Sequence, residues 1–159
     1  MSFWKQFKPK SCSVNLKAAA KEGVLAELVD NMVKADLLAE DLRESALRTL
    51  LEREELASTG VGMGVAIPHV KVAGIDQVVC TLSVHQDGVE WSAVDGEPAH
   101  LVFCVLRPER AGELHDPDLH IEMMTWIARI AREADFRRFA RATKTKKELV
   151  DLLKEMSAV

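Results

Sequence analysis

Residues 99–106 read AHLVFCVL, seven of them apolar. A strand written this way has no polar face to turn toward water. It belongs inside a sheet that other structure covers on both sides. Arg107-Pro108 ends the run. This requirement excludes an open one-sided sheet, so the rest of the chain must supply two covering layers.

Helical spacing supplies them. Across residues 19–33, Leu25, Leu28, Val29 and Met32 recur at the helical period, and a second helix is predicted over 41–56 with Leu47, Leu50 and Leu51 inward. Residues 77–85 alternate, with Val78, Cys80, Leu82 and Val84 on one side, which predicts a strand buried mainly on one face. Gln86-Asp87-Gly88 predicts a turn, with 89–91 as a short returning strand. Asp116-Pro117 opens a further helix, since aspartate caps and proline at the first position loses no needed hydrogen bond. Met123, Met124, Ile127, Ile130 and Ala131 form its inner stripe. Thr145 and Glu148 make a capping-box pattern ahead of Leu152 and Leu153. The expected fold is α/β: one domain, a small mixed β-sheet sandwiched by helices.

Composition agrees with one globular domain: 159 residues, 48% hydrophobic and 29% charged. Residues 13–159 are expected to form it, with 1–12 as an N-terminal extension. That extension holds Phe3, Trp4, Lys5, Phe7, Lys8 and Lys10. It has no apolar stretch of signal-peptide kind and is expected to be loosely packed. No apolar run approaches the ~20 residues of a membrane span, and a cytoplasmic location is expected. The net charge of −4, with signs interleaved, argues against nucleic acid as a partner. The most basic stretch, 137–147, reads as a solvated helix surface. Cys12, Cys80 and Cys104 lack CxxC spacing, which indicates neither a disulfide framework nor a metal site.

The texture changes abruptly at Ser58, where 58–69 read STGVGMGVAIPH. Gly60, Gly62 and Gly64 suit a backbone that turns sharply and passes close to a neighbour. Such a loop can cradle phosphate, or it can simply be a tight connection between helix and strand. It lacks the GKS or GKT ending of a nucleotide P-loop. Pro68 has no amide hydrogen and holds Ile67 extended, so strand pairing is interrupted just before His69. Imidazole is a good nucleophile near neutral pH, although a lone histidine is more often structural.

The stretch from Arg53-Glu54 through Ser58-Thr59, Gly62-Met63-Gly64 and Ala66-Ile67-Pro68-His69 resembles the active-site signature of the mannitol/fructose-type enzyme IIA family of the bacterial phosphotransferase system. Two further blocks follow in the family's order. They are Trp91 with Asp95-Gly96 and Pro98, then His120-Ile121 with Met124-Thr125 and Ile127-Ala128. The resemblance covers residues 14–156. It implies that His69 accepts phosphoryl from an HPr-like phosphocarrier, with no cofactor and no metal. It further implies that His120 stabilises the phosphoryl group and that Arg53 and Thr59 bind phosphate. His120 falls in the first turn of its helix, where the positive helix end favours a neutral ring. Val61, Met63 and Val70 are expected to form a docking rim. The family has glycine after its active histidine where this chain has Val70, and a β-branched residue does not easily take positive φ. A shifted choice of partner is the expected consequence.

Onward transfer to an enzyme IIB component and signalling to a regulated target are both open, with the isolated A domain leaning toward the nitrogen-regulatory branch. The alternative is a binding module that keeps the fold without transferring phosphoryl. A metal-dependent hydrolase is a distant third, because no acidic cluster accompanies the histidines. His85, His100 and His115 carry no assigned role.

Overall fold

The structure, a computed structural model, describes residues 2–110 and 116–157. In chain order the elements are α1 (Lys21–Lys34), α2 (Arg43–Leu56), β1 (Gly60–Gly62), β2 (Val65–Ala66), β3 (His69–Val72), β4 (Val79–Val89) and β5 (Ala99–Pro108). Then come α3 (Pro117–Ala131), α4 (Ala134–Ala142) and α5 (Lys146–Ser157). The strands form one mixed sheet. β5 is its centre, with β4 antiparallel along one edge and β2 and β3 parallel on the other. Leu101, Phe103 and Val105 of β5 face α3, α4 and α5, whereas Val102, Cys104 and Leu106 face α1 and α2. The apolar run thus lies between two helical layers, as its composition demands, and the sandwich of helices on a small mixed sheet is the observed fold.

The cap signals act as read. The Asp116 side chain accepts the Asp118 amide hydrogen at 2.9 Å with Pro117 in the first turn. The Thr145 hydroxyl accepts from the Glu148 amide at 3.1 Å and α5 begins beside it. All three thiols are buried and free. Burial pushes Cys12 up to about 11 and Cys104 up to about 12, so both stay protonated and unreactive at neutral pH.

Two readings need correction. Residues 86–88 do not turn the chain back: β4 runs on to Val89 through an irregularity between Val84 and Val89, and Val89 pairs with Ala99. The reason is His85. Its Nδ1 accepts the Gly88 amide hydrogen at 3.1 Å while its Nε2–H donates to the Ala18 carbonyl at 2.8 Å. The ring satisfies the backbone group that the bulge leaves unpaired, so the strand continues past it.

The N-terminus is not loosely packed. Short 3-10 turns at Phe3–Gln6 and Pro9–Ser11 lead the chain along β4, with bridges from Phe7 to Cys80 and from Ser13 to Ser83. Phe7 and Cys12 are each only 1% exposed, inside the same core as Phe103 and Trp126. Aromatic burial outweighs the chain entropy of ordering a dozen terminal residues.

Candidate functional site

The glycine stretch is a β-hairpin. β1 and β2 are antiparallel, with Gly62 opposite Val65, so Met63 and Gly64 form a two-residue turn. Both take positive φ, 59° and 77°, as a type I′ turn requires. Glycine does this without strain; Met63 does it at about 1–2 kcal/mol. What holds Met63 there is Asp95, whose Oδ2 accepts the Met63 amide hydrogen at 2.8 Å and whose Oδ1 accepts from Glu97 at 3.0 Å. These bonds, the Met63 one foremost, lower the Asp95 pKa below the usual carboxylate range. Gly62 has to be glycine, because a Cβ there would stand 2.9 Å from Asp95 Oδ2. The amides of this segment are thus partly spent inside the protein: Gly60 donates to Ser58 Oγ and Met63 to Asp95.

β2 and β3 are one strand with an interruption. Val65 pairs with Leu101 and His69 with Val105 at an unchanged offset, while Ile67-Pro68 bridges the gap. The missing amide of Pro68 breaks the ladder without shifting its register, and the Pro68 carbonyl still accepts from Val105 at 3.0 Å. His69 therefore begins β3 instead of ending a strand. Val70 and Val72 turn into the layer of α1 and α2, so the alternation puts His69 on the opposite face, that of α3.

The His69 ring is half-buried, and its Nδ1 lies 2.8 Å from the Ile67 carbonyl oxygen. A carbonyl only accepts, so Nδ1 carries the hydrogen and the lone pair sits on Nε2. The backbone thus fixes the tautomer of the ring. His69, Val105 and Cys80 form one row across β3, β5 and β4. Cys80 Sγ is 3.7 Å from Met123 Sδ, which seats the second turn of α3 on that row. His120, 7% exposed and one turn before Met123, lies on the same side of the sheet as His69.

Among the remaining site residues, Arg53 is half-buried at the end of α2, with Nη1 donating to the Ala57 carbonyl at 2.7 Å. Val61 and Met63 are exposed at 49% and 42%. Thr59 and Val70, expected at the phosphate and at the docking rim, are both buried. The Thr59 hydroxyl donates to Glu54 Oε2 and accepts from Trp91 Nε1 at 3.0 Å, so its single hydrogen is committed. Val70 is buried against α1 and α2 and pairs with Leu106 in ordinary extended backbone. Of the other histidines, His85 has both ring nitrogens engaged, His100 Nδ1 donates to the His85 carbonyl at 3.0 Å, and His115 lies outside the described residues.

Sequence reasoning missed a buried polar network beneath the hairpin. Lys21 at the start of α1 pairs with Glu54 at 3.2 Å and lies over the Trp91 ring, 5.6 Å from its centre. Glu54 also accepts the Thr59 amide hydrogen at 2.9 Å. The only trace in the sequence is Trp91 itself, since a buried indole N–H needs an acceptor. The network ties both helices of one layer to the root of β1.

The position of Val70 changes what its replacement should do. Val70→Gly removes the buried isopropyl group and adds strand flexibility, for an expected loss of about 2–4 kcal/mol. Urea unfolding measures this, and an unchanged midpoint would place the side chain outside the core.

The family model for "Phosphoenolpyruvate-dependent sugar phosphotransferase system, EIIA 2" matches residues 5–156. Over 138 residues the chain is 33% identical to the fructose-specific EIIA component of Haloferax volcanii, spanning 87% of this chain and 85% of that protein. Over 150 residues it is 33% identical to the nitrogen regulatory protein of Pseudomonas aeruginosa, with 91% and 90% covered. It is 29% identical to the fructose-specific EIIABC component of Bacillus subtilis, covering 89% of this chain but only 21% of that protein. Among solved structures, nitrogen regulatory protein IIA-Ntr of Neisseria meningitidis shares the fold with a TM-score of 0.77 at 24% identity, covering 94% of this chain and 97% of that one. A family match over residues 5–156, with relatives 33% identical over most of their length, makes the chain a member of the EIIA 2 family of the sugar phosphotransferase system.

Proposed function

We propose that this phosphotransferase-system chain is a phosphoryl carrier that takes phosphoryl from an HPr-like phosphocarrier onto Nε2 of His69. The observation that carries the reading is the Nδ1–H bond to the Ile67 carbonyl, which leaves the Nε2 lone pair as the only nucleophilic position of the ring. In the transfer, that lone pair forms the new N–P bond as the P–N bond to the donor imidazole breaks, and the donor ring keeps the bonding pair. Positive charge then grows on the His69 ring. The Ile67 carbonyl dipole stabilises it without moving, which is preorganised electrostatic assistance. Exchange of one imidazole for another calls on no metal and no cofactor. Arg53 is assigned to the phosphoryl oxygens, because a guanidinium suits their geometry. Val61 and Met63 are assigned to partner docking.

Downstream, a B component is one recipient; the Bacillus subtilis relative carries A, B and C in one name. A regulated protein is the other, and the nitrogen regulatory relative supports it at the same identity as the fructose one. The proposed place of action is the cytoplasm. Among the described residues, no helix is long and apolar enough to cross a membrane. Incubation with phosphoenolpyruvate, enzyme I and HPr, followed by intact-mass measurement, tests the reading. Uptake of one phosphoryl group supports it; a chain that stays unmodified while HPr is charged belongs to the alternative, a binding module without transfer.

His120 is assigned to supporting the phosphoryl group from the α3 side. A hydrogen bond to a charged group is worth about 1.5–3 kcal/mol, or roughly one to two decades in rate when it acts in the transition state. His120→Ala should therefore still be labelled on His69, at a rate lower by that factor, with circular dichroism unchanged. A folded variant with wild-type labelling and dephosphorylation rates would make His120 a packing residue.

A further inference from the structure

The basic stretch near the C-terminus is more than a solvated helix face. Arg137, Arg138 and Arg141 of α4 line a cleft of about 310 Å³ together with Met63, Leu101 and the exposed Ala134. Arg137 and Arg141 are one turn apart and so stand on one side of the helix. Of the three guanidiniums, only Arg138 has a carboxylate partner among the described residues, the exposed Asp135 at 3.2 Å. Arg137 is held by the Ala131 carbonyl at 2.8 Å, a neutral acceptor that leaves its charge uncompensated. In a protein of net charge −4, converging cations of this kind are a local exception. Met63 lines the cleft from the turn where it holds φ of 59° with its side chain exposed. A backbone kept in an unfavourable region points to a use for that conformation, and methionine adapts its shape to varied ligands.

We propose that this cleft binds a small organic anion with two or more acidic groups, phosphate or carboxylate. Guanidiniums give paired N–H donors to such oxygens, while Leu101, Ala134 and Met63 meet a carbon skeleton. Its size is that of a small-molecule site and falls well short of the area a protein partner needs. The site is separate from the proposed phosphoryl position, since four residues of extended chain lie between Gly64 and His69, and Leu101 in the cleft stands four residues along β5 from Val105, the strand partner of His69.

The test is an NMR titration of the ¹⁵N-labelled full chain with citrate and with 2,3-bisphosphoglycerate, one organic carboxylate and one organic phosphate, at constant ionic strength. Saturable shifts are expected at the amides of Gly64, Leu101 and Ala134, with Lys144, Lys146 and Lys147 unmoved. The Arg138→Gln/Arg141→Gln double variant should weaken binding by about tenfold or more, and Asp135→Asn should strengthen it by freeing Arg138. Arg137 is left in place because it also bonds the end of α3. His69→Ala should bind like wild type, which keeps this test independent of the phosphoryl reading. Shifts that never saturate, shifts centred on the lysines, or equal affinity in the double variant overturn the proposal.

Discussion

Replacing His69 with alanine should abolish the proposed phosphoryl uptake from HPr while the fold survives. The ring is half-buried and, among the described residues, it bonds a carbonyl two residues away, so little of the core depends on it. Losing that bond costs about 1 kcal/mol. Among the other described histidines, His100 is also half-buried with Nδ1 on a backbone carbonyl, so His100→Ala is the matching control and should still be labelled. His85 has both nitrogens occupied, by the Ala18 carbonyl and the Gly88 amide. His120 is buried beneath α3, with 7% of its surface exposed. The wild-type adduct should be acid-labile and alkali-stable, as a phosphoramidate is, and the alanine variant should carry none. Undiminished labelling of a folded His69→Ala protein would move the phosphoryl site elsewhere.

The second large effect concerns stability. Phe7→Ala should destabilise the protein by about 3–5 kcal/mol, the range for emptying a buried aromatic position. Phe7 meets Phe103 edge-on at 6.1 Å and Trp126 at 5.9 Å, and its backbone bridges Cys80. Its loss therefore opens the core between β4, β5 and α3. For a chain of this size the melting temperature should fall by roughly 10 °C. Differential scanning calorimetry measures it. A melting point within a degree or two of wild type would mean that the N-terminal segment rests on the core without supporting it.

Those two residues also mark the division between what was legible in the sequence and what was not. The apolar run 99–106, the periodicity of the helices, and the caps at Asp116 and Thr145 are local signals, and each gave its element. Pro68 announced the break ahead of His69, because a missing amide hydrogen is a property of one residue. What the sequence hid were interactions between distant segments. Nothing local says that Phe7 finds a pocket some 96 and 119 residues later, at Phe103 and Trp126. Val70 and Thr59 were expected at the rim and the phosphate because they stand in the same motif as His69, but a strand alternates sides, and alternation sends Val70 into the core beside His69. Thr59 is claimed by Glu54 and Trp91, from α2 and from the chain beyond β4. Likewise the turn expected at 86–88 is overruled by the His85 ring, which takes up the unpaired Gly88 amide while anchoring to Ala18. The sequence by itself determined which segments are strand or helix and which histidine stands at a broken strand. Only the tertiary structure decided which side chains are spent on one another, since burial and hydrogen-bond satisfaction depend on partners that the linear order keeps apart.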